Sequence, residues 1–238
     1  MANPRVQKEK SIRRRKPAPD SGTAVFLKDS LAKGLRDQIL GGHLAPGARI
    51  VESFWARQFG VAQISVREAI NLLIADGFVT KSTGRSARVV HFSPEDVAQI
   101  YELRAALEGL AAGLAARKKA DLTTLRILLQ EMRRAIVRGN TRELLSADFK
   151  FHLELCRLGG NHQVLSHGRS LLVPLFAFIS MRAALAHASA HAWKEDLARH
   201  ERIVNVIHEG DPLAAEFSVR AILQQFGKRA HEIWVDTH

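Results

Sequence analysis

The chain has 238 residues, of which 46% are hydrophobic, and a formal net charge of +11 from 35 Lys and Arg against 24 Asp and Glu. That charge favours a polyanionic partner and disfavours an enzyme of acidic substrates, because phosphates neutralised by Lys and Arg release counterions and so add affinity. The length allows a buried core and one or two domains, and two is the expected number. The single cysteine, Cys156, excludes an internal disulfide framework, suits a reducing cytosol and reads as a small buried apolar residue.

Residues 1–22 are rich in Lys, Arg and Pro, with Arg13-Arg14-Arg15-Lys16 as the densest run, and read as a disordered basic arm. Such an arm is either a solvated tail or a phosphate contact. It lacks the apolar core of a secretory signal, so the expected location is cytoplasmic. Further on, the most apolar run, 171–181, falls short of the roughly 20 residues of a spanning helix. It contains Pro174 and is expected as a buried helix rather than a membrane segment.

Residues 23–92 read as a winged helix-turn-helix. Leu27, Leu31, Leu35 and Ile39 recur every four residues, a helix face, and Gly41-Gly42 ends it. After the Pro46-Gly47 turn, a helix from about Glu52 is expected to turn Trp55, Ala56 and Phe59 inward. The tight turn Phe59-Gly60-Val61 leads to a second helix whose Val66, Ala69, Ile70 and Leu73 form a buried stripe, leaving Gln63 and Arg67 outward. Such a helix fits the DNA major groove, with its N-terminal side chains at base edges. Asp76-Gly77 breaks the pattern, and the β-prone runs Phe78-Val79-Thr80 and Arg88-Val89-Val90 flank a polar loop, the wing. The expected DNA-facing residues are Gln63, Ser65, Arg67 and Asn71 on the helix and Thr83, Gly84 and Arg85 on the wing, with Lys81 and Arg88 beside it for phosphates. Glu68 is expected to pair with a basic group of the protein itself.

Leu35-Arg36, Gly42-His43-Leu44-Ala45-Pro46-Gly47, Glu52, Gly60-Val61 and Val66-Arg67-Glu68-Ala69 follow in an order and spacing that resembles the GntR family of bacterial transcription regulators. That family commonly has a Ser-Arg pair after Gly-Val and a Pro before Val-Arg-Glu-Ala, where this chain has Ala62-Gln63 and Ser65. Arg67 is kept. Because Gln pairs bidentately with adenine where Arg prefers guanine, an operator preference different from the family's common one is expected.

Residues 93–238 read as an all-α bundle of about six helices, opened by the capping sequence Ser93-Pro94-Glu95-Asp96. The expected helices are 94–118, 122–138, 141–158, 162–187, 193–209 and 212–235, separated by Gly139-Asn140, Gly159-Gly160-Asn161 and Gly210-Asp211-Pro212. Leu144, Asp148, Phe151, His152 and Leu155 share one stripe, and Leu197, His200, Val204 and Ile207 another, so a carboxylate and two imidazoles face inward. Buried Asp and His must be paired, solvated in a cavity or bound to metal. Asp148 and His152, one turn apart, suit zinc, nickel or manganese. His187 and His191 form a further pair, read as surface histidines.

This half resembles the FCD effector domain of the FadR branch of that family, through Glu102-Leu103-Arg104, Leu107-Glu108, Asp148 to His152, Gly160-Asn161, His200 and Gly210-Asp211. The resemblance implies a metal held by Asp148, His152 and His200 with a further His on the last helix. That position aligns with Ile222, which cannot ligate. Three states are therefore open: a metal completed by water or a ligand carboxylate, an organic acid bound without metal, and a hydrogen-bonded Asp-His network with neither. Arg104 and Asn161 are the expected effector contacts, Arg104 as a planar fork for a carboxylate or else as the i, i+4 partner of Glu108.

The expected protein is thus an effector-responsive transcription regulator, a homodimer on a double-stranded DNA operator and a repressor by analogy, taking a small organic acid. Two other classes compete. A metal-dependent hydrolase would use the same three ligands, but no nucleophile motif accompanies them. A structural nucleic-acid binder without effector would show only salt-dependent, non-discriminating binding.

Overall fold

The four-residue leucine repeat builds the first helix, α1 (Ser21–Leu40), whose Leu31, Leu35 and Ile39 are buried. It starts at the edge of the basic stretch, so the helix begins two residues earlier than the expected boundary at 22/23. In this computed structural model the backbone is described over residues 21–82, 86–185 and 190–235, and side chains over 27–82, 86–184 and 193–227. The arm up to residue 20, the wing positions Thr83, Gly84 and Arg85, and the His187 and His191 side chains lie outside the described residues.

Past Gly42, at φ 77°, the chain runs Gly47 to Ile50 alongside a strand of the wing, with Gly47 N–H to the Val89 carbonyl at 3.1 Å and Ile50 N–H to the Ala87 carbonyl at 2.8 Å. Helix α2 (Glu52–Phe59) stops at Gly60, whose left-handed φ of 65° only glycine adopts without strain. Ala56 is buried, while Trp55 and Phe59 are half-buried and stack at 5.4 Å. Helix α3 (Gln63–Ala75) buries Val66, Ala69, Ile70 and Leu73, the expected stripe. The wing strands β1 (Val79–Thr80) and β2 (Arg88–Val89) pair antiparallel, Val79 opposite Val89.

Ser93 opens α4 (Pro94–Arg117) with a reciprocal capping box: its hydroxyl accepts from Asp96 N–H at 3.1 Å, and its own N–H donates to the Asp96 carboxylate at 2.8 Å. There follow α5 (Thr123–Val137), α6 (Thr141–Leu158), α7 (His162–Leu185), α8 (Ala190–Glu209) and α9 (Pro212–Val235). α4 lies closely along α9; a Cβ on Gly109 would fall 2.4 Å from Arg220 Cγ, and one on Gly113 would fall 2.8 Å from the Pro212 carbonyl oxygen. The main core of this half gathers Leu125, Met132, Phe151, Leu155, Ile203, Val219 and Leu223.

α7 joins the two halves. Its Leu175, Phe178 and Met181 belong to the same buried cluster as Leu35, Ile70 and Val79, while Leu172 and Phe176 pack with Cys156 and Val164. Contrary to the expectation drawn from the 171–181 run, His162–Ala184 is long and apolar enough to cross a membrane by length and composition, with 23 residues and an 18-residue window of mean hydropathy 1.4. Counting only the unbroken run missed the apolar residues on its N-terminal side. The burial of Leu172, Leu175, Phe178 and Met181 explains the apolarity as that of a central core helix. Cys156 is fully buried, and that burial pushes its thiol pKa up, in keeping with an apolar packing role.

Candidate nucleic-acid interface and buried effector centre

α3 is braced from behind by α1 and α2, which turns its N-terminal residues outward. Gln63, Arg67 and Asn71 are exposed and Ser65 is half-buried. The bracing reaches Gln63 and Arg67 directly. The Glu52 carboxylate, at the start of α2, accepts from Arg67 Nη2 at 2.8 Å and Nε at 3.0 Å and from Gln63 Nε2 at 3.2 Å. Lys81 Nζ lies 3.5 Å from the same carboxylate. The hydrogen bond from Arg67 holds the Glu52 pKa below the usual carboxylate value, against the opposing effect of its partial burial. The acid that engages the reading helix is thus Glu52; Glu68 is exposed. Sequence reading carried Glu52 only as a spacing marker, although its place at the first turn of one helix, facing the i and i+4 positions of the next, is the available signal. Arg88 donates from Nη1 to the Gly47 carbonyl at 2.9 Å and helps tie the wing to the preceding segment.

The three inward residues of the helical half do converge. His200 Nε2 lies 3.1 Å from Asp148 Oδ1 and 3.2 Å from His152 Nε2, and His152 Nε2 lies 3.2 Å from the same Asp148 oxygen. Both rings are held from the other side: His152 Nδ1 is 2.5 Å from Glu108 Oε2, and His200 Nδ1 is 2.6 Å from the Asp196 carbonyl oxygen. With each Nδ1–H donating outward, neutral rings turn their Nε2 lone pairs toward one another and toward a carboxylate. Three acceptors then face one point. Such a group needs a positive centre between its members, either a proton or a metal ion, and two imidazole nitrogens with one carboxylate oxygen form a donor set that zinc, nickel and manganese accept.

The electrostatics agree. Burial works against a charge on His152, but the Glu108 carboxylate and the Asp148 hydrogen bond outweigh it and raise its pKa. Burial likewise opposes ionised Asp148, yet the two histidines hold its carboxyl well below the usual range. Arg104 and Glu108 are both buried and form a salt bridge, Nε to Oε1 at 2.8 Å, so the i, i+4 pairing exists and Glu108 spends its second oxygen on His152. Arg104 Nη2 is nevertheless buried without a hydrogen-bond partner in the structure, a costly condition that an acceptor oxygen of a ligand would relieve. Its guanidinium carbon sits 4.7 Å from the Tyr101 ring centroid and 5.6 Å from that of Phe176.

Among its described side chains, α9 contributes no ligand. Ile222 is buried in the main core, and Phe226 lays its ring 5.1 Å from His200 and 6.2 Å from His152. Asn161 stands apart from the centre: it is exposed, and its side-chain oxygen accepts from Gln163 N–H at 2.9 Å and Val164 N–H at 3.3 Å, capping α7. Glu108, the Asp196 carbonyl and Phe226 are the supporting groups that sequence periodicity did not single out.

A braced reading helix with a small wing, joined to an all-α domain holding a buried polar centre, defines a DNA-binding transcription regulator with a ligand-binding domain. The profile of bacterial regulatory proteins of the gntR family matches residues 27–89, and that of the FCD domain matches residues 99–225. The chain belongs to the GntR family and carries an FCD domain. The HTH-type transcriptional regulator YdhC of Bacillus subtilis is 30% identical over 205 residues, covering 85% of this chain and 89% of its own length. A protein of Paenarthrobacter nicotinovorans named "Probable D-xylose utilization operon transcriptional repressor" is 28% identical over 208 residues, 84% of this chain and 88% of its own. In fold, the solved McbR/YncC of Escherichia coli superposes with a TM-score of 0.65 at 19% identity, covering 89% of this chain and 99% of that one. The family and these relatives are regulators of transcription, not enzymes.

Proposed function

We propose that the chain is a repressor that binds a pseudo-palindromic operator as a cytoplasmic homodimer and is controlled by a small carboxylate taken into the FCD domain. DNA reading falls to Gln63, Ser65, Arg67 and Asn71, with Thr83, Gly84 and Arg85 of the wing, and residues 93–238 supply effector binding and dimerisation. Repression is supported by the relative named as an operon repressor.

The observation that carries the effector reading is the unpartnered Arg104 Nη2 beside three converging acceptors. Asp148, His152 and His200 would hold a divalent ion, which when bound supplies open coordination positions for oxygen ligands. Arg104 grips and orients the carboxylate, Glu108 keeps both Arg104 and His152 in place, and Phe226 excludes water from the α9 side. The missing fourth side-chain ligand, at Ile222, favours a second reading in which the carboxylate binds without metal.

A thermal-shift screen of small carboxylates with the full chain, with and without Zn²⁺, Ni²⁺ or Mn²⁺, tests both readings. A stabilising carboxylate is expected, and Arg104→Lys, which keeps charge but loses the planar fork, should weaken its effect. Stabilisation that needs metal supports the first reading, stabilisation without metal the second. No shift from any metal or acid would overturn both.

A further inference from the structure

Beside the seam between the two domains lies a second cavity, separate from the buried centre. It measures about 620 Å³, within the range of small-molecule sites, and is lined by residues of α1, α3, the start of the wing, α6 and α7. One wall belongs to the DNA-binding half, with Arg36, Asp76 and Phe78; the other belongs to the helical half, with Arg142, Phe149, Arg169 and Phe176. Its surface divides by chemistry. Phe149 and Phe176 pack against each other at 5.6 Å between centroids with their planes tilted by 58°, an aromatic corner for an apolar body. The cations are unequal: Arg36 is engaged by Asp76 and lies 5.5 Å over the Phe78 ring, whereas Arg142 and Arg169 form no salt bridge among the described residues, Arg142 sensing only the more distant Asp37 carboxylate, whose pKa it helps to lower. Asp76 is the single acid on the lining, and Arg36 neutralises it.

We propose that this interdomain cavity is a binding site for an aromatic carboxylate, its ring system on Phe149 and Phe176 and its carboxylate between Arg142 and Arg169. Guanidinium forks suit the carboxylate, and two inclined aromatic rings suit a third that stacks on one and meets the other edge-to-face. A ligand here touches both domains at once, so its occupancy biases how the reading helix sits relative to the FCD domain. Phe176 is also a common wall: the same ring lies 5.6 Å from the Arg104 guanidinium and 6.1 Å from the His152 ring. Occupants of the two sites therefore share one buried side chain as a neighbour.

Isothermal titration of the full chain with 2-naphthoate in the presence of chelator tests the site, with His200→Ala as a control for the buried centre. The expected result is saturable binding of one molecule per chain, retained in His200→Ala. The exposed lining positions allow two independent variants: Arg142→Ala with Arg169→Ala should weaken binding at least tenfold, and Ser146→Trp should abolish it by filling the cavity. The uncharged 2-naphthalenemethanol should bind at least tenfold more weakly than the acid. Absence of binding, equal binding of the alcohol, loss of binding in His200→Ala, or binding that survives either cavity variant would overturn the proposal.

Discussion

Arg67 is caught between two demands. In the proposed reading role it presents its guanidinium to a base edge, and in the free chain it is tied to Glu52 at 2.8 Å. An exposed ion pair of this kind contributes little to stability, because solvent screens it and holding two long side chains costs entropy. Its value lies in orientation, because a side chain with many rotamers is held near one and loses less freedom on binding. Arg67→Ala is expected to weaken operator binding by roughly 1–3 kcal/mol and to relax discrimination at the base it reads, measured by fluorescence anisotropy on selected operator and on scrambled DNA. Glu52→Gln makes the complementary case. Removing its negative charge should strengthen binding to scrambled DNA while freeing Arg67, so the ratio of specific to non-specific affinity falls. An unchanged ratio in a folded variant would remove Glu52 from the reading apparatus. The reading stripe was legible because Val66, Ala69, Ile70 and Leu73 repeat with a helical period, whereas the Glu52 contact depends on how two helices cross and periodicity does not carry it. The local role of Asn161 was open to a different reading for a similar reason: Gly160-Asn161 fits a family motif, but the residue's position before α7 makes it a helix cap.

At the scale of elements, the helix order and most boundaries followed from glycine breakers and the Ser93 capping box, which act locally. Tertiary placement was less legible. The 171–181 run was read as a buried segment, yet the joining role of α7 emerges only from its packing against both domains. The tightest point of that seam is Gly77, at φ 78°, where a Cβ would fall 2.6 Å from the Val173 carbonyl oxygen and 2.8 Å from Pro174 Cα. Gly77→Ala combines backbone strain of about 1–3 kcal/mol with that overlap, so a loss of at least this size is expected in urea unfolding. A variant as stable as the parent would mean that the turn does not bear on α7.

Across the whole molecule, two ionised carboxylates, the buried Glu108 and the half-buried Asp148, share one polar centre. Arg104 holds Glu108, and the histidines hold Asp148, below their usual values of 4.5 and 3.8, although burial pulls both the other way. A group with a depressed folded-state pKa binds protons more readily when unfolded, so stability is lost as pH falls. Denaturant midpoints of the chelated chain should therefore decline below about pH 5 as these groups protonate, while the raised His152 pKa adds stability that is full below its unfolded value of 6.5 and is lost as pH rises through the folded one. A Glu108→Gln variant should decline less steeply over the same range. The inward stripes made Asp148, His152 and His200 legible as a group, but their supports at Glu108, Asp196 and Phe226 come from three other places in the chain and only the packed bundle unites them.

In the proposed regulator the buried centre takes a cation and the winged domain responds to it. The direct measurement is the operator Kd of the chelator-stripped full chain, by anisotropy, with and without one equivalent of Zn²⁺. Coupling between sites is typically 5- to 150-fold, so a change in Kd of about fivefold or more is predicted for the parent and none for His200→Ala. A parent Kd indifferent to Zn²⁺, or an equal change in His200→Ala, would contradict it.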